Sequence, residues 1–167
     1  MATLYTSFRL DRTEAKDHLS LLANSAGHRD GVYIIARSRE PGAVSPKELP
    51  RLLVEDLIVY VGCSTNLPAR AQSAIRAAHD VGVPGYQHGF GRSFRQLQAE
   101  GLTLDDLAML AISFAPGFAL EDFLLKESVR MTGRYPIGNH GPSTMPSTTI
   151  RRRPVKLTWS DLLVCPL

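Results

Sequence analysis

The sequence has few cysteines, no long apolar run and no strong excess of either charge. Its two cysteines are too few for a disulfide framework or a four-thiolate zinc site. The longest apolar stretch, residues 107–120, is too short to span a bilayer and contains Pro116 and Gly117. Charged residues occupy positions near the N-terminus where a secretory signal would be apolar. We therefore expect an intracellular, cytoplasmic protein without a membrane partner.

The overall composition is that of one globular domain. The chain has 167 residues, of which 44% are hydrophobic and 21% charged. Its 19 basic and 16 acidic residues give a net charge of +3. This mild basicity is compatible with a phosphate-rich partner, but it does not require one.

Periodicity and turn residues predict a small α/β layer. Two compact segments rich in β-branched and aromatic residues, 31–36 and 57–62, are typical of strands. The apolar run over residues 107–114 favours a third, buried strand. Helices are predicted over residues 13–24, 65–81, 92–100 and 118–132. The order of these elements favours an antiparallel hairpin at the centre. Residues 37–50 are interpreted as a Pro- and Gly-rich loop, with a short helical turn as an open alternative.

Four residues depart from their local patterns. Glu127 lies on the predicted apolar face of the helix over residues 118–132, where a carboxylate loses hydration unless it is paired. Arg70 lies at the margin of an alanine-rich apolar stripe. Tyr33 and Tyr60 each lie on one predicted strand. Each also has a purely structural interpretation: a glutamate at the edge of the core, an arginine covering apolar surface, and tyrosines that pack.

Together these residues resemble a known motif. Gly31-Val32-Tyr33 and Val59-Tyr60-Val61-Gly62 resemble the two tripeptides that name the GIY-YIG nuclease family. Arg70 follows Tyr60 by ten residues, where that family has its helix arginine. Glu127 and Asn139, twelve residues apart, resemble the glutamate and asparagine of repair-type members. The resemblance implies a central antiparallel three-stranded sheet flanked by helices, with a nuclease domain at residues 31–140, a helical extension at 1–30 and a basic tail at 141–167.

The resemblance further implies a metal-dependent endonuclease that hydrolyses DNA with Mg²⁺ or Mn²⁺. Glu127 would hold the metal, with Glu121 as the next candidate, and Arg70 would hold a phosphate oxygen. Tyr33 would position or deprotonate the water, with Tyr60 close by. Asn139 would orient the substrate or the backbone.

The sequence also departs from the family pattern. The two tyrosines are 27 residues apart, so residues 37–56 are interpreted as an insertion. Ala74 and Cys63 stand where many members carry groups that help to activate water. We therefore expect His88, which resembles an extra histidine of homing-type members, to share that role with Tyr33.

Further basic residues are candidate contacts to nucleic acid: Arg92, Arg151, Arg152 and Arg153. A double-strand cutter would act as a homodimer, and a toxin would need an inhibitor protein. Restriction, mobile-element, repair and toxin roles stay open, as does the choice between DNA and RNA. The alternative functions are a nucleic-acid-binding module of the same fold without catalysis, and an enzyme of unrelated chemistry.

Overall fold

The computed structural model describes residues 4–10, 12–27, 29–79, 89–139, 156–162 and 165–166. The strands of these residues are β1 (Leu4–Arg9), β2 (Gly31–Arg37), β3 (Ile58–Ser64), β4 (Leu107–Ser113) and β5 (Cys165–Pro166). Their α-helices are α1 (Arg12–Ala26), α2 (Leu49–Val54), α3 (Leu67–His79), α4 (Gly89–Ala99) and α5 (Gly117–Thr132). The predicted α/β class is confirmed.

The strands form one sheet in the order β3-β2-β4-β1-β5. β2 pairs antiparallel with both β3 and β4, so the predicted central hairpin is present. β1 pairs antiparallel with β4, and β5 adds a short parallel edge beside β1. The prediction of three antiparallel strands is therefore corrected to four, with β5 as a short additional strand.

β1 is not evident in the sequence because Thr6 and Ser7 interrupt its apolar pattern. In the structure Thr6 and Phe8 are buried and alternate with more exposed neighbours, as a half-buried strand requires. The Thr6 hydroxyl lies 3.0 Å from Nδ1 of His18 on α1, and this contact satisfies the inward polar group. Because one inward-facing residue of β1 is polar, the sequence of this strand does not show the alternating hydrophobic pattern that would predict it.

Helices cover both faces of the sheet and enclose two apolar clusters. One face packs against α1, α3 and α4, and its cluster includes Phe8, Leu19 and Tyr33. The other face packs against α2 and α5, with Ile34 and Leu124 in its cluster. Residues on both sides of the predicted boundary at residue 30 therefore share one core.

The connection between β2 and β3 contains more regular structure than the predicted loop. Two 3₁₀ turns, Pro41–Ala43 and Pro46–Glu48, lead into the short helix α2. Leu49, Leu52 and Leu53 of α2 are buried, and the helix packs against α5. Burial of these leucines stabilises a helix that its short sequence would not form alone.

The apolar run over residues 107–120 is divided between β4 and α5. Every residue of β4 is buried, which explains why this strand shows no alternation in the sequence. α5 follows Pro116 and ends before Gly133, which has a left-handed φ of 77°. The predicted strand and helix are both confirmed. Among the described residues, no helix combines the length and the apolar content that crossing a membrane requires.

Replacing Phe8 with alanine tests whether β1 is an integral part of the core. Phe8 is fully buried, and removing a buried phenyl ring leaves a cavity, so Phe8→Ala should lower the free energy of unfolding by about 3–5 kcal/mol. Leu21→Ala on α1 is the matched control because Leu21 is 56% exposed, and it should change that free energy by less than about 0.5 kcal/mol. Urea denaturation measures both, and equal small effects would show that β1 is dispensable.

Candidate active site

Tyr33 on β2 and Tyr60 on β3 form a stacked pair. Their ring centroids lie 5.8 Å apart with an interplanar angle of 26°. Tyr33 is fully buried, whereas Tyr60 is partly exposed. Gly62 lies opposite Tyr33 across the strand pair, and a Cβ at this glycine would come within 2.5 Å of the Tyr33 hydroxyl oxygen. The close approach of the ring to β3 therefore requires glycine at position 62.

Burial raises the pKa of both tyrosines above the ordinary value. It is the largest cause of a Tyr33 pKa well above the ordinary value, and the adjacent Tyr60 raises that pKa further. Burial also raises the pKa of Tyr60, although the hydrogen bond with Tyr33 and the positive charge of Arg70 act in the opposite direction. A tyrosine with a raised pKa is a poor base for water at neutral pH. Of the two roles predicted for Tyr33, this favours positioning over proton abstraction.

Arg70 lies at the margin of the apolar stripe of α3, in agreement with the sequence pattern. Ala71 beside it is buried, whereas Arg70 is exposed. Burial raises the pKa values of Tyr33, Tyr60 and the Cys63 thiol, and the Arg70 charge opposes this effect at all three. The guanidinium is therefore close enough to act electrostatically on every one of these groups.

Glu121 on α5 is a buried carboxylate on the other face of the sheet, within electrostatic range of the tyrosines. The residue is only 4% exposed, and Sγ of Cys63 donates a hydrogen bond to its Oε2 at 3.0 Å. After burial itself, the Glu121 charge is the strongest cause of the raised pKa of the Cys63 thiol. The same charge adds to the effect of burial on Tyr33 and Tyr60. We refer to Tyr33, Tyr60, Cys63, Arg70 and Glu121 as the tyrosine–carboxylate cluster.

A second helical stripe in the sequence would have indicated Glu121. Gly117, Glu121, Leu124 and Ser128 recur at helical spacing, and all four are buried in α5. The sequence pattern also allows an apolar face that includes Glu127. Because both faces contain leucines at suitable spacing, only the packing of α5 on the sheet distinguishes them.

Glu127 belongs to a different network. Its Oε1 accepts a hydrogen bond from Nε of Arg130 at 3.0 Å, and its Oε2 accepts one from Nη2 of the same arginine at 2.8 Å. Nε1 of Trp159 also donates to Oε2, at 3.0 Å. Arg130 is the main cause of the lowered pKa of this carboxylate. Both oxygens therefore have donor partners, and the structure does not bring Glu127 together with the tyrosines or leave it suited to a metal.

Glu127 lies six positions after Glu121 on α5, and the orientations of the two side chains differ accordingly. At about 100° of rotation per residue, the two carboxylates project from α5 about 120° apart. Glu127 faces the segment that contains Trp159, whereas Glu121 faces Cys63 on β3. Of the two, Glu121 is therefore the carboxylate that acts electrostatically on the tyrosines.

Asn139 binds the backbone of β3. Its Oδ1 accepts a hydrogen bond from the Val61 N–H at 2.9 Å, and its Nδ2 donates to the Val61 carbonyl at 2.8 Å. The Gly138 N–H donates to the Val59 carbonyl at 2.8 Å, and the Ser93 hydroxyl donates to the Gly138 carbonyl at 3.0 Å. Of the two roles predicted for Asn139, fixing the backbone near the site is the one that these contacts support.

Three further predictions concern Arg92, His88 and the arginines at 151–153. Arg92 is exposed on α4. His88 and the run Arg151–Arg152–Arg153 lie outside the described residues. Gly89 follows His88 in the chain, and a Cβ at Gly89 would lie 3.1 Å from the Tyr60 hydroxyl oxygen. The roles predicted for His88 and for the arginine run stay predictions.

The donor set of the cluster suits a hard divalent cation better than a soft one. Within the described ranges, no three His, Cys, Asp or Glu side chains converge on one point. Glu121 supplies a single carboxylate, and Mg²⁺ commonly binds through one or two carboxylates while it keeps several waters. The residues present therefore fit a Mg²⁺ or Mn²⁺ ion with few protein ligands, and Glu121 fits this role better than Glu127.

Comparison of the chain with protein-family models, with curated proteins and with solved structures finds no match. The interpretation of the site therefore depends on its own geometry and on the motif residues.

The buried hydroxyl of Tyr33 should make the protein less stable at alkaline pH. Its pKa is raised above the ordinary value of 10.0 by burial, so the unfolded chain releases this proton first as the pH rises. The stabilisation is complete below a pH of about 10 and is lost as the pH rises through the folded-state pKa, with a slope of up to about 1.4 kcal/mol per pH unit.

Urea denaturation at a series of alkaline pH values measures this slope. Tyr33→Phe removes the titrating group, so its free energy of unfolding should fall less steeply with pH than that of the wild type. Tyr135→Phe, at an exposed position, is the matched control. A slope unchanged by Tyr33→Phe would contradict the assigned cause.

Proposed function

We propose that the protein is a metal-dependent endonuclease that hydrolyses phosphodiester bonds in DNA. The observation that carries this proposal is the tyrosine–carboxylate cluster, formed where α3 and α5 pack against the β2–β3 pair. It combines an exposed guanidinium, a buried carboxylate and two tyrosine hydroxyls. Phosphodiester hydrolysis requires that the phosphate charge is neutralised, that a cation is held and that a water is positioned. The guanidinium, the carboxylate and the tyrosine hydroxyls are suited to these three tasks in turn.

Arg70 is the residue that binds the phosphate. Its side chain is exposed, so a nucleic acid can reach it, and it lies within electrostatic range of both tyrosines. The planar guanidinium offers two parallel donors to the non-bridging oxygens of a phosphate. Arg70 thereby holds the phosphate beside the hydroxyl of Tyr60.

Glu121 is the residue that would hold the cation. Its carboxylate is buried and accepts a hydrogen bond from the Cys63 thiol, and a carboxylate oxygen is a ligand that a hard divalent cation prefers. When bound, Mg²⁺ or Mn²⁺ supplies charge neutralisation on the phosphate and makes a coordinated water more acidic. The spacing of twelve residues between Glu127 and Asn139 predicts that Glu127 holds the metal. We propose Glu121 for this role instead.

The tyrosines position the water and the phosphate and do not act as bases. Burial raises both of their pKa values, so each hydroxyl is protonated at neutral pH and acts as a donor or acceptor of hydrogen bonds. Proton transfer then requires another group. His88 is the residue that the sequence predicts for it, because histidine titrates nearest to neutral pH.

The motif order supports a GIY-YIG-type nuclease within this proposal. Tyr33 and Tyr60 lie on paired antiparallel strands, and Arg70 lies on the helix that follows. Asn139 binds the backbone of the second motif at Val61. We propose DNA as the substrate because the chain carries a mild positive charge. The sequence also predicts that Arg92 and residues 151–153 contact nucleic acid. The alternative function is a nucleic-acid-binding module of the same fold that has lost catalysis. The experiments below distinguish it from a nuclease.

Exchanging each glutamate for glutamine separates the two carboxylate candidates. Glu121→Gln should slow cleavage of supercoiled plasmid in Mg²⁺ by about 100-fold or more, because a bound cation contributes several kcal/mol to the transition state. Glu127→Gln is the matched control on the same helix and should retain the wild-type rate. EDTA should abolish cleavage by the wild-type protein.

Gel shifts with the same DNA report binding separately from cleavage. Loss of cleavage in Glu127→Gln, with full activity in Glu121→Gln, would restore the assignment that the sequence spacing indicates. Binding by the wild type without cleavage in either Mg²⁺ or Mn²⁺ would favour the non-catalytic binding module. A parallel reaction with RNA of the same sequence tests the choice of nucleic acid.

Arg70→Lys keeps the positive charge and removes the forked donor geometry. If Arg70 clamps the phosphate, cleavage should fall by about 100-fold while DNA binding changes far less. Arg76→Lys, at an exposed position of the same helix, is the matched control and should have little effect. Equal rates for Arg70→Lys and the wild type would indicate a general electrostatic role.

A further inference from the structure

The contact between Cys63 and Glu121 joins two elements that are far apart in the chain. Cys63 lies on β3 and Glu121 on α5, 58 residues later, and the Sγ–Oε2 distance is 3.0 Å. Both residues are largely removed from solvent. The thiol therefore donates to a buried carboxylate that the proposed function places at the centre of the site.

A buried carboxylate requires donors because it has lost its hydration. A hydrogen bond to one oxygen also restrains rotation of the carboxylate about its last side-chain bond. Groups that orient a metal-binding side chain in this way commonly affect metal affinity and activity as strongly as some of the ligands themselves.

We propose that Cys63 is a positioning residue that orients the Glu121 carboxylate by donating its thiol proton to Oε2. The inference deepens the proposed nuclease function and rests on it. The S–H group is a neutral donor, so it satisfies one oxygen of the carboxylate without adding a positive charge beside it.

The thiol does not act as a nucleophile in this arrangement. Burial and the adjacent carboxylate raise the pKa of Cys63, whereas a nucleophilic cysteine needs a lowered pKa and a nearby base. The geometry instead uses the S–H group as a donor. Serine can replace a donor of this kind, but alanine cannot.

Infrared spectroscopy of the S–H stretch tests the hydrogen bond without reference to cleavage. The Cys165→Ala variant leaves Cys63 as the one remaining thiol, so its band can be assigned. The band should move to higher frequency when Glu121→Gln replaces the carboxylate with a weaker acceptor. A band that Glu121→Gln does not move would overturn the proposed contact.

Plasmid cleavage at varied Mg²⁺ and DNA concentrations tests the positioning role. Cys63→Ala should lower kcat by about 10–100-fold with little change in KM, and should raise the Mg²⁺ concentration needed for half the maximal rate. Cys63→Ser should restore most of the lost rate because its hydroxyl is also a donor. Cys165→Ala is the matched control and should cleave at the wild-type rate.

The outcomes separate this inference from the function on which it rests. A wild-type protein that cleaves with no change in Cys63→Ala overturns the positioning role alone. Equal losses in Cys63→Ser and Cys63→Ala, with equally lowered thermal stability, would show a purely structural cysteine and also overturn it. A wild-type protein that cleaves no nucleic acid overturns the proposed function, and the positioning role with it.

Discussion

The pairing of β2 with β3 in the register that places Tyr33 opposite Gly62 is the constraint on which the site depends. Successive side chains of a strand point to opposite faces, so a slip of one residue would reverse every contact. In this register the Tyr33 ring packs over the glycine on the face covered by α3 and α4. Cys63 then projects from the opposite face, where Glu121 lies on α5. β3 therefore carries residues of the tyrosine–carboxylate cluster on both faces of the sheet.

The position of β3 at the edge of the sheet explains the role of Asn139. An edge strand has backbone N–H and carbonyl groups without a partner strand, and such groups need other partners. Asn139 and Gly138 supply them at Val61 and Val59, the residues on either side of Tyr60. The connection from β2 to β3 leaves after Arg37 and returns at Ile58, at the end of the strand pair next to Val59. The register shifts once near this end, between Ile35 and Ala36, and Tyr33 still pairs with Gly62. A long insertion there therefore lengthens the spacing of the motifs without changing that pairing.

The cluster combines one buried carboxylate with one exposed guanidinium. The buried carboxylate of Glu121 has a neutral thiol as its donor and two protonated tyrosines nearby. The guanidinium of Arg70 is exposed and can bind an anion that approaches from solvent. Burial raises the pKa of both tyrosines further above neutral pH, so their hydroxyls add no negative charge to the cluster.

Local sequence pattern was enough to predict the strands that carry Tyr33 and Tyr60, and it predicted α1, α3, α4 and α5 to within a few residues at their ends, but not α2. It also indicated that Arg70 lies at the margin of an apolar stripe. Tertiary structure alone decided that residues 4–9 form a strand, since Thr6 finds its partner on α1. It also decided which glutamate of α5 accompanies the tyrosines. Helical periodicity allows more than one buried face, and the packing of α5 on the sheet decides between them. This packing brings Glu121 into contact with Cys63, which lies 58 residues earlier in the chain.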